Sequence, residues 1–326
     1  MMPFDSPYEP TALFSTEQLP LTILPLTAWA LVTLSGPDRQ RYLQGQVTCD
    51  VTTLQDNNYL LGAHCDVQGK MWSCFQLFSL VEQLALLQRR SVCEAQLNAL
   101  RQYALFSQVT IKQEESFSLL GIAGAGARQA LQTLFSQLPS AEAPCLVIEN
   151  QVLLYYPDPA ERYLLVVPQP AHEITSALLR QGARFGPSEQ WLALDIASGL
   201  PIIDAPNSGQ LLPQAVQLDQ LNGICFTKGC YMGQEGVARA QHRGTQRRAR
   251  YWLTGHSPEL PEVGDSLEVQ FGAQWRTSGR VLARVRLADG TLWVQAVLPS
   301  PLEPTSSLRV RHQPDSLLCS VDLTAQ

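Results

Sequence analysis

The chain lacks any run of eighteen apolar residues in its 326, which excludes a membrane-spanning helix. Its first segment, Met1 to Pro20, has no basic stretch followed by an apolar one; it is Pro-rich and carries Asp5, Glu9 and Glu17. That composition is not a secretory signal, so the expected location is cytoplasmic. No cysteine framework is present either. The eight cysteines, at 49, 65, 74, 93, 145, 225, 230 and 319, are scattered, and without a signal they read as reduced thiols. Cys225 and Cys230 are separated by four residues, but His242 and His256 follow too far away for a zinc finger and no third nearby Cys completes a cluster. No metal is therefore expected. The sequence contains no G-x-S-x-G and no P-loop. Gly121 to Gly126 is glycine-rich, but Gln129 stands where a dinucleotide fingerprint needs its third glycine, so the stretch reads as a tight strand-to-helix turn.

Acid is missing from one region only. The net charge is −6, yet Gly236 to Pro258 contains no Asp or Glu while Arg239, Arg243, Arg247, Arg248 and Arg250 fall within it. The overall charge argues against wholesale coating of nucleic acid. A local cationic patch on an acidic chain points to a specific anionic partner, such as RNA phosphates or a polyglutamyl tail, against the commoner outcome of a solvated face.

The elements that are present follow an α+β pattern. Ala28 to Leu34 reads as a buried strand beginning at Trp29, whose default role is core, and Ser35-Gly36-Pro37-Asp38 opens a short helix. Residues 59–66 and 71–79 read as strands joined by a turn around Gly69. Ser91 and Glu94 have capping-box form, and the helix they open places Cys93, Leu97, Leu100 and Ala104 on one face. His64 and Asp66 share a strand face and read as a solvated pair. Strands are expected near 108–111, 117–123, 145–148, 151–156 and 162–167, with a helix at 170–181. Ser188 to Ser198 reads as a capped helix ended by Gly199. Trp191, Asp195 and Ser198 share one face of it. An aromatic plate one turn from a carboxylate suits a flat heteroaromatic ligand; a partly exposed helix with an interfacial Trp is as good a reading. Residues 205–225 read as a long irregular segment. From Arg250 onward, short alternating runs and the Asp289-Gly290 turn predict a C-terminal β-barrel or sandwich. The expected divisions are an arm at 1–20, α+β domains at 21–112 and 113–185, a core-completing segment at 186–246 and the barrel at 247–326.

One stretch concentrates chemistry: Lys228-Gly229-Cys230-Tyr231-Met232-Gly233-Gln234-Glu235. Gly229 and Gly233 permit turns and close approach to a ligand. A helix beginning after Gly233 would put Cys230 just ahead of its N-terminus and two residues from Lys228, both of which favour thiolate. The alternative is a small buried cysteine in a tight turn. This stretch matches K-G-C-Y-x-G-Q-E in full, and the chain resembles the YgfZ family through it and over most of its length, from about Leu19. The family comprises folate-binding proteins related to the T-protein aminomethyltransferase of the glycine cleavage system, linked to tRNA modification and iron–sulfur protein maintenance.

The resemblance implies a T-protein-like arrangement around a central opening that holds tetrahydrofolate. It implies folate contacts at Trp29 and Trp191, an essential thiol at Cys230 assisted by Lys228, and a site shaped by Tyr231, Gln234 and Glu235. Partners would be folate and tRNA-modifying iron–sulfur enzymes or tRNA itself, with RNA or anion contacts at Arg239, Arg243, Arg247 and Arg248, and no membrane. Two departures from T-protein stand out. No acid follows the hairpin Asp66-Val67-Gln68-Gly69-Lys70, where T-protein has its catalytic aspartate, which speaks against glycine-cleavage chemistry. Ala197 also stands where relatives often carry a pterin-contacting glutamate. The alternatives are a folate-dependent one-carbon transferase with another acceptor, and a tRNA- or protein-binding adaptor using the arginine run.

Overall fold

The computed structural model describes residues 12–243, 247–303 and 305–321. After β1 (Thr22–Pro25), the strands β2 (Trp29–Ser35), β3 (Leu60–Cys65), β4 (Met71–Leu80), β5 (Gln83–Arg89) and β6 (Thr110–Glu114) form a five-stranded sheet in the order β3-β4-β5-β2-β6. Helices α1 (Arg39–Gln44) and α2 (Cys93–Tyr103) belong to the same half of the chain. Strand β2 alternates between two cores. Ala30, Val32 and Leu34 pack with Cys93, Leu97 and Leu100 of α2, as the helical spacing predicts, while Trp29 and Leu31 face the other way. A central strand buried on both faces reads as a continuous apolar run for that reason.

The second sheet has six strands. β7 (Phe117–Ala123), α3 (Ala127–Gln132), β8 (Cys145–Ile148), β9 (Gln151–Tyr156), β10 (Arg162–Pro168), α4 (His172–Arg180) and β11 (Arg184–Phe185) follow one another, and the strand order is β11-β1-β7-β10-β9-β8. β1 thus leaves its sequence neighbours and pairs antiparallel with β7. Gly124 and Gly126 have φ of +92° and +81°, the left-handed turn expected between β7 and α3.

Helix α5 (Ser188–Ala197) lies in the core common to both sheets and the C-terminal barrel. Nine of its ten residues are buried, Glu189 alone being exposed. The expectation of a partly exposed helix is therefore corrected: α5 is covered all round, as its apolar composition on every side requires. The start of the described chain is held to it, because the Gln190 side chain bonds both the N–H and the C=O of Phe14, at 2.8 and 3.0 Å. The irregular segment after α5 carries only two short 3-10 turns, at Ala205–Asn207 and Pro213–Val216. It is nonetheless packed, with Ile203, Ala215, Val216 and Leu218 in a core shared with β3 and β4.

Helix α6 (Gln234–Arg243) leads to the barrel β12 (Arg248–His256), β13 (Ser266–Phe271), β14 (Gln274–Arg286), β15 (Leu292–Pro299), β16 (Leu308–Val310) and β17 (Gln313–Val321), closed in the order β12-β15-β14-β13-β16-β17. Closure removes exposed strand edges, and the Asp289-Gly290 turn joins β14 to β15 with Gly290 at φ +86°. Among the described residues no helix is long and apolar enough to cross a membrane.

Candidate ligand cleft and motif loop

Trp29 and Arg89 are cross-strand partners on β2 and β5, so their side chains leave the same face of the five-stranded sheet. That face meets α5 across a narrow cleft, walled on one side by Trp29, Cys74 and Arg89 and on the other by Trp191, Asp195 and residues 200–202. The two tryptophans singled out in the sequence, far apart along the chain, are thus brought to one cavity.

Each tryptophan carries a guanidinium on its ring. Arg89 Cζ sits 4.3 Å from the Trp29 centroid, and its Nε donates to both carboxylate oxygens of Asp204 at 3.1 Å. Ser91 donates its hydroxyl to Asp204 and accepts from the Ala205 N–H at 3.1 Å. The predicted capping box is therefore absent: Ser91 braces Asp204, and α2 begins without a side-chain cap. Arg89 Nη1 is buried and has no partner. On the opposite wall, Arg162 Cζ lies 4.3 Å from the Trp191 ring and 4.9 Å from Tyr156. Its Nη1 is 2.8 Å from Asp195 Oδ1, and its Nη2 is 3.4 Å from Ser198 Oγ. Trp191, Asp195 and Ser198 do share a helix face, and Arg162 is what they share it with. Burial pushes the Asp195 carboxyl above its ordinary value, while Arg162 and Arg89 pull it back down. Trp191 also rests on the backbone of Gly121, where an added Cβ would come within 2.4 Å of the ring.

The motif loop lines a separate groove. Lys228 Nζ spends its three N–H donors on Gln44 Oε1, Val47 O and Cys49 O, at 3.1, 2.9 and 2.7 Å. It ties the loop to residues 44–49, and burial lowers its pKa. Cys230 is exposed, so the buried-turn reading of this thiol is set aside. Tyr231 is buried beneath the Lys228 ammonium, which stands 5.2 Å from its ring. Tyr231 and Gln234 line a groove with Phe226, Ala238 and Gln241; neither is among the residues walling the tryptophan cleft. Glu235 is exposed on α6 and pairs with Arg239 one turn on.

Two features escaped the sequence reading. The hairpin after β3 sits directly on the start of α6. A Cβ on Gly233 would meet Asp66 O at 2.3 Å, and one on Gly236 would meet Gln68 O at 2.0 Å. Gly69, Gly233 and Gly236 are the signal, since only glycine allows backbone to touch backbone so closely. Asp66 accepts from the Gln68 and Lys70 N–H groups at 2.9 Å each. It therefore shapes the turn and is not paired with His64, correcting that expectation. His64 is instead fully buried with an unpartnered Nδ1, and burial lowers its pKa to about 4. The second feature is Cys225. Burial raises its pKa, but the Thr227 hydroxyl and the Thr227 and Lys228 N–H groups outweigh this and leave it lowered.

The arginine run divides. Arg247 and Arg248 are exposed, whereas Arg250 is buried, donates to Val216 O at 2.8 Å and has its pKa lowered to about 10 by desolvation. Arg250 is thus a structural tie to the irregular segment and no part of a cationic surface. The Arg243 side chain lies outside the described residues.

Comparison with known proteins fits this architecture. The model of the YgfZ β-barrel domain matches residues 246–313. The chain is 49% identical over 310 residues to the tRNA-modifying protein YgfZ of Yersinia pestis (strain Pestoides F), covering 95% of this chain and 94% of that one. It is 48% identical over 314 residues to the protein of the same name from Yersinia enterocolitica, covering 96% and 95%. The glycine cleavage system aminomethyltransferase T of Bartonella henselae shares the fold at 16% identity, with a TM-score of 0.75 over 94% of this chain and 86% of that one. By its sequence over nearly its whole length, the chain belongs to the YgfZ family.

Proposed function

We propose that this chain is a folate-binding protein that supports tRNA modification and the maintenance of iron–sulfur enzymes, with no glycine-cleavage activity. The observation that carries the reading is the convergence of Trp29 and Trp191 on one cleft beside an unsatisfied Arg89 donor. A pterin offers a flat π-face for aromatic walls and ring acceptors for a guanidinium. Leaving a buried N–H unpaired costs about 1–3 kcal/mol, which an acceptor-bearing ligand would recover. Asp195 is the carboxylate of this wall, in the absence of one at Ala197. Folate, when bound, would supply one-carbon chemistry; Trp29, Trp191 and Arg89 would hold and orient it. Cys230, exposed on the motif loop, is the candidate essential thiol, held in place through Lys228. The name of the Yersinia relatives supports the tRNA half of the reading.

The test is titration of purified protein with tetrahydrofolate, following tryptophan fluorescence and, independently, heat of binding. Wild type should show saturable quenching that is lost in Trp191→Phe and weakened in Trp29→Phe. A folded protein that takes up no folate would move the function to the adaptor reading. In cells, the modified-nucleoside content of tRNA should fall when the gene is deleted and return with wild type but not with Cys230→Ser. Full restoration by that variant would remove Cys230 from the function.

A further inference from the structure

The barrel carries a second acid-free stretch that the function above does not use. From Val269 to Ala288 there is no Asp or Glu and there are four arginines. The tip of the β13–β14 hairpin projects from the barrel: residues 270–274, Arg276 and Thr277 are exposed, and Phe271 is 53% exposed. Strand register defines which side chains leave the barrel. Leu267, Val269, Leu308 and Val310 point inward. Glu268 and Gln270 alternate with the first two and face outward. Their cross-strand partners Thr277, Trp275 and Arg309 share that outer face, and Arg280 joins them opposite Ser266.

Aromatic and guanidinium groups interleave on both faces of the hairpin, Trp275 on the outer face and Phe271 with Arg276, in register with Val269, on the other. Arg309 Cζ lies 4.3 Å from the Trp275 ring, and Arg276 Cζ lies 5.3 Å from the Phe271 ring. Glu268 is the acid on this face, and it is already paired with Arg309 at 2.8 Å. Arg276 and Arg280 make no ion pair among the described residues. Flat π-faces beside uncompensated guanidiniums fit a chain that offers both bases and phosphates. A folded acidic peptide would use the charge but not the exposed ring.

We infer that the β13–β14 hairpin and the adjoining outer face of β16 bind unpaired RNA. The strand wraps the hairpin tip: Phe271 and Trp275 stack bases on its opposite faces, and Arg276 and Arg280 contact phosphates. The inference deepens the tRNA half of the proposed function and is independent of folate, so quenching by tetrahydrofolate remains unchanged whichever way it falls.

The experiment is fluorescence anisotropy with the full chain and three labelled probes: a hairpin RNA with an unpaired loop, a duplex RNA of equal length, and polyglutamate. The loop RNA should bind best, with affinity that falls as salt rises. Phe271→Ala should weaken it about tenfold with little change in salt dependence, the effect of one lost base–aromatic stack. Arg276→Ala and Arg280→Ala should each lower the slope of log affinity against log salt by about 1. These are surface positions, and near-ultraviolet circular dichroism confirms that the barrel is intact. Equal binding of duplex or polyglutamate, or no binding, overturns the inference. So does loss of binding in an Arg239→Ala/Arg248→Ala double variant with the hairpin variants unaffected, which would place the contact on the motif helix.

Discussion

The two walls of the tryptophan cleft use the same three parts, a tryptophan, an arginine stacked on it and an aspartate paired to the arginine, yet they are held differently. The Trp191–Arg162–Asp195 wall is sealed: the Arg162 and Asp195 side chains are 1% and 6% exposed. Its arginine pairs with Asp195 and lies against Ser198 and two aromatic rings, although Arg162 Nη1 and Asp195 Oδ1 make no hydrogen bond. The Trp29–Arg89–Asp204 wall is looser, with side-chain exposures of 13% and 11% for its ion pair, and its arginine keeps one unused donor. The difference separates two roles that sequence assigns alike to both tryptophans. Both arginines keep an unpartnered Nη1, so burial is what differs. A fully buried stack fixes a wall. A partly exposed one can reach a ligand.

The largest effect should come from breaking the sealed wall. Arg162→Leu leaves Asp195 as an uncompensated buried charge, and urea unfolding should show a loss of about 3–5 kcal/mol. A change under 1 kcal/mol would mean that the sealed wall is not structural. Next in size is a buried group kept neutral, His64. Its folded pKa of about 4 lies below the ordinary 6.5, so between these values the unfolded chain takes up a proton that the folded chain refuses. Stability is full above pH 6.5 and falls as pH drops through that window, by about 3 kcal/mol for this group. Denaturation midpoints at pH 7.5 and 4.5 should therefore converge in His64→Phe relative to wild type. An unchanged gap would assign acid sensitivity elsewhere.

Arg89→Leu sharpens the comparison from the open side. Its pair is partly solvated, so stability should fall by only about 1–2 kcal/mol, while tetrahydrofolate affinity falls about tenfold or more. Retained affinity would remove Arg89 from recognition. The smallest stability effect is expected at the exposed motif thiol. Cys230→Ser should change unfolding by less than about 0.5 kcal/mol and leave folate quenching intact, so that any loss of cellular function reads as chemistry. A large destabilisation would reassign Cys230 to structure.

The barrel was legible because alternation and one Asp-Gly turn specify neighbouring strands, and β12 to β17 fall where those local signals place them. The extent of α5 was legible and Gly199 ends it, but Ser188 does not cap it: it is the first helical residue, and its hydroxyl accepts from the Ala28 N–H at 3.3 Å. The K-G-C-Y-x-G-Q-E stretch identified the family that the relatives confirm. Misreadings came where a local rule competed with a distant partner. Ser91 satisfies Asp204 instead of capping α2. Arg250 serves a backbone carbonyl of the irregular segment instead of solvent.

The sequence by itself determined the elements, the family and the pair of tryptophans worth watching. Periodicity, caps and turn residues act over a few positions and are written in order along the chain. The tertiary structure alone decided that Arg162 rather than solvent lies on Trp191, that Lys228 anchors to residues 44–49, and that the Gly69 hairpin seats on α6. Those contacts join residues far apart in sequence. They depend on which strands become neighbours, and no local spacing encodes that choice.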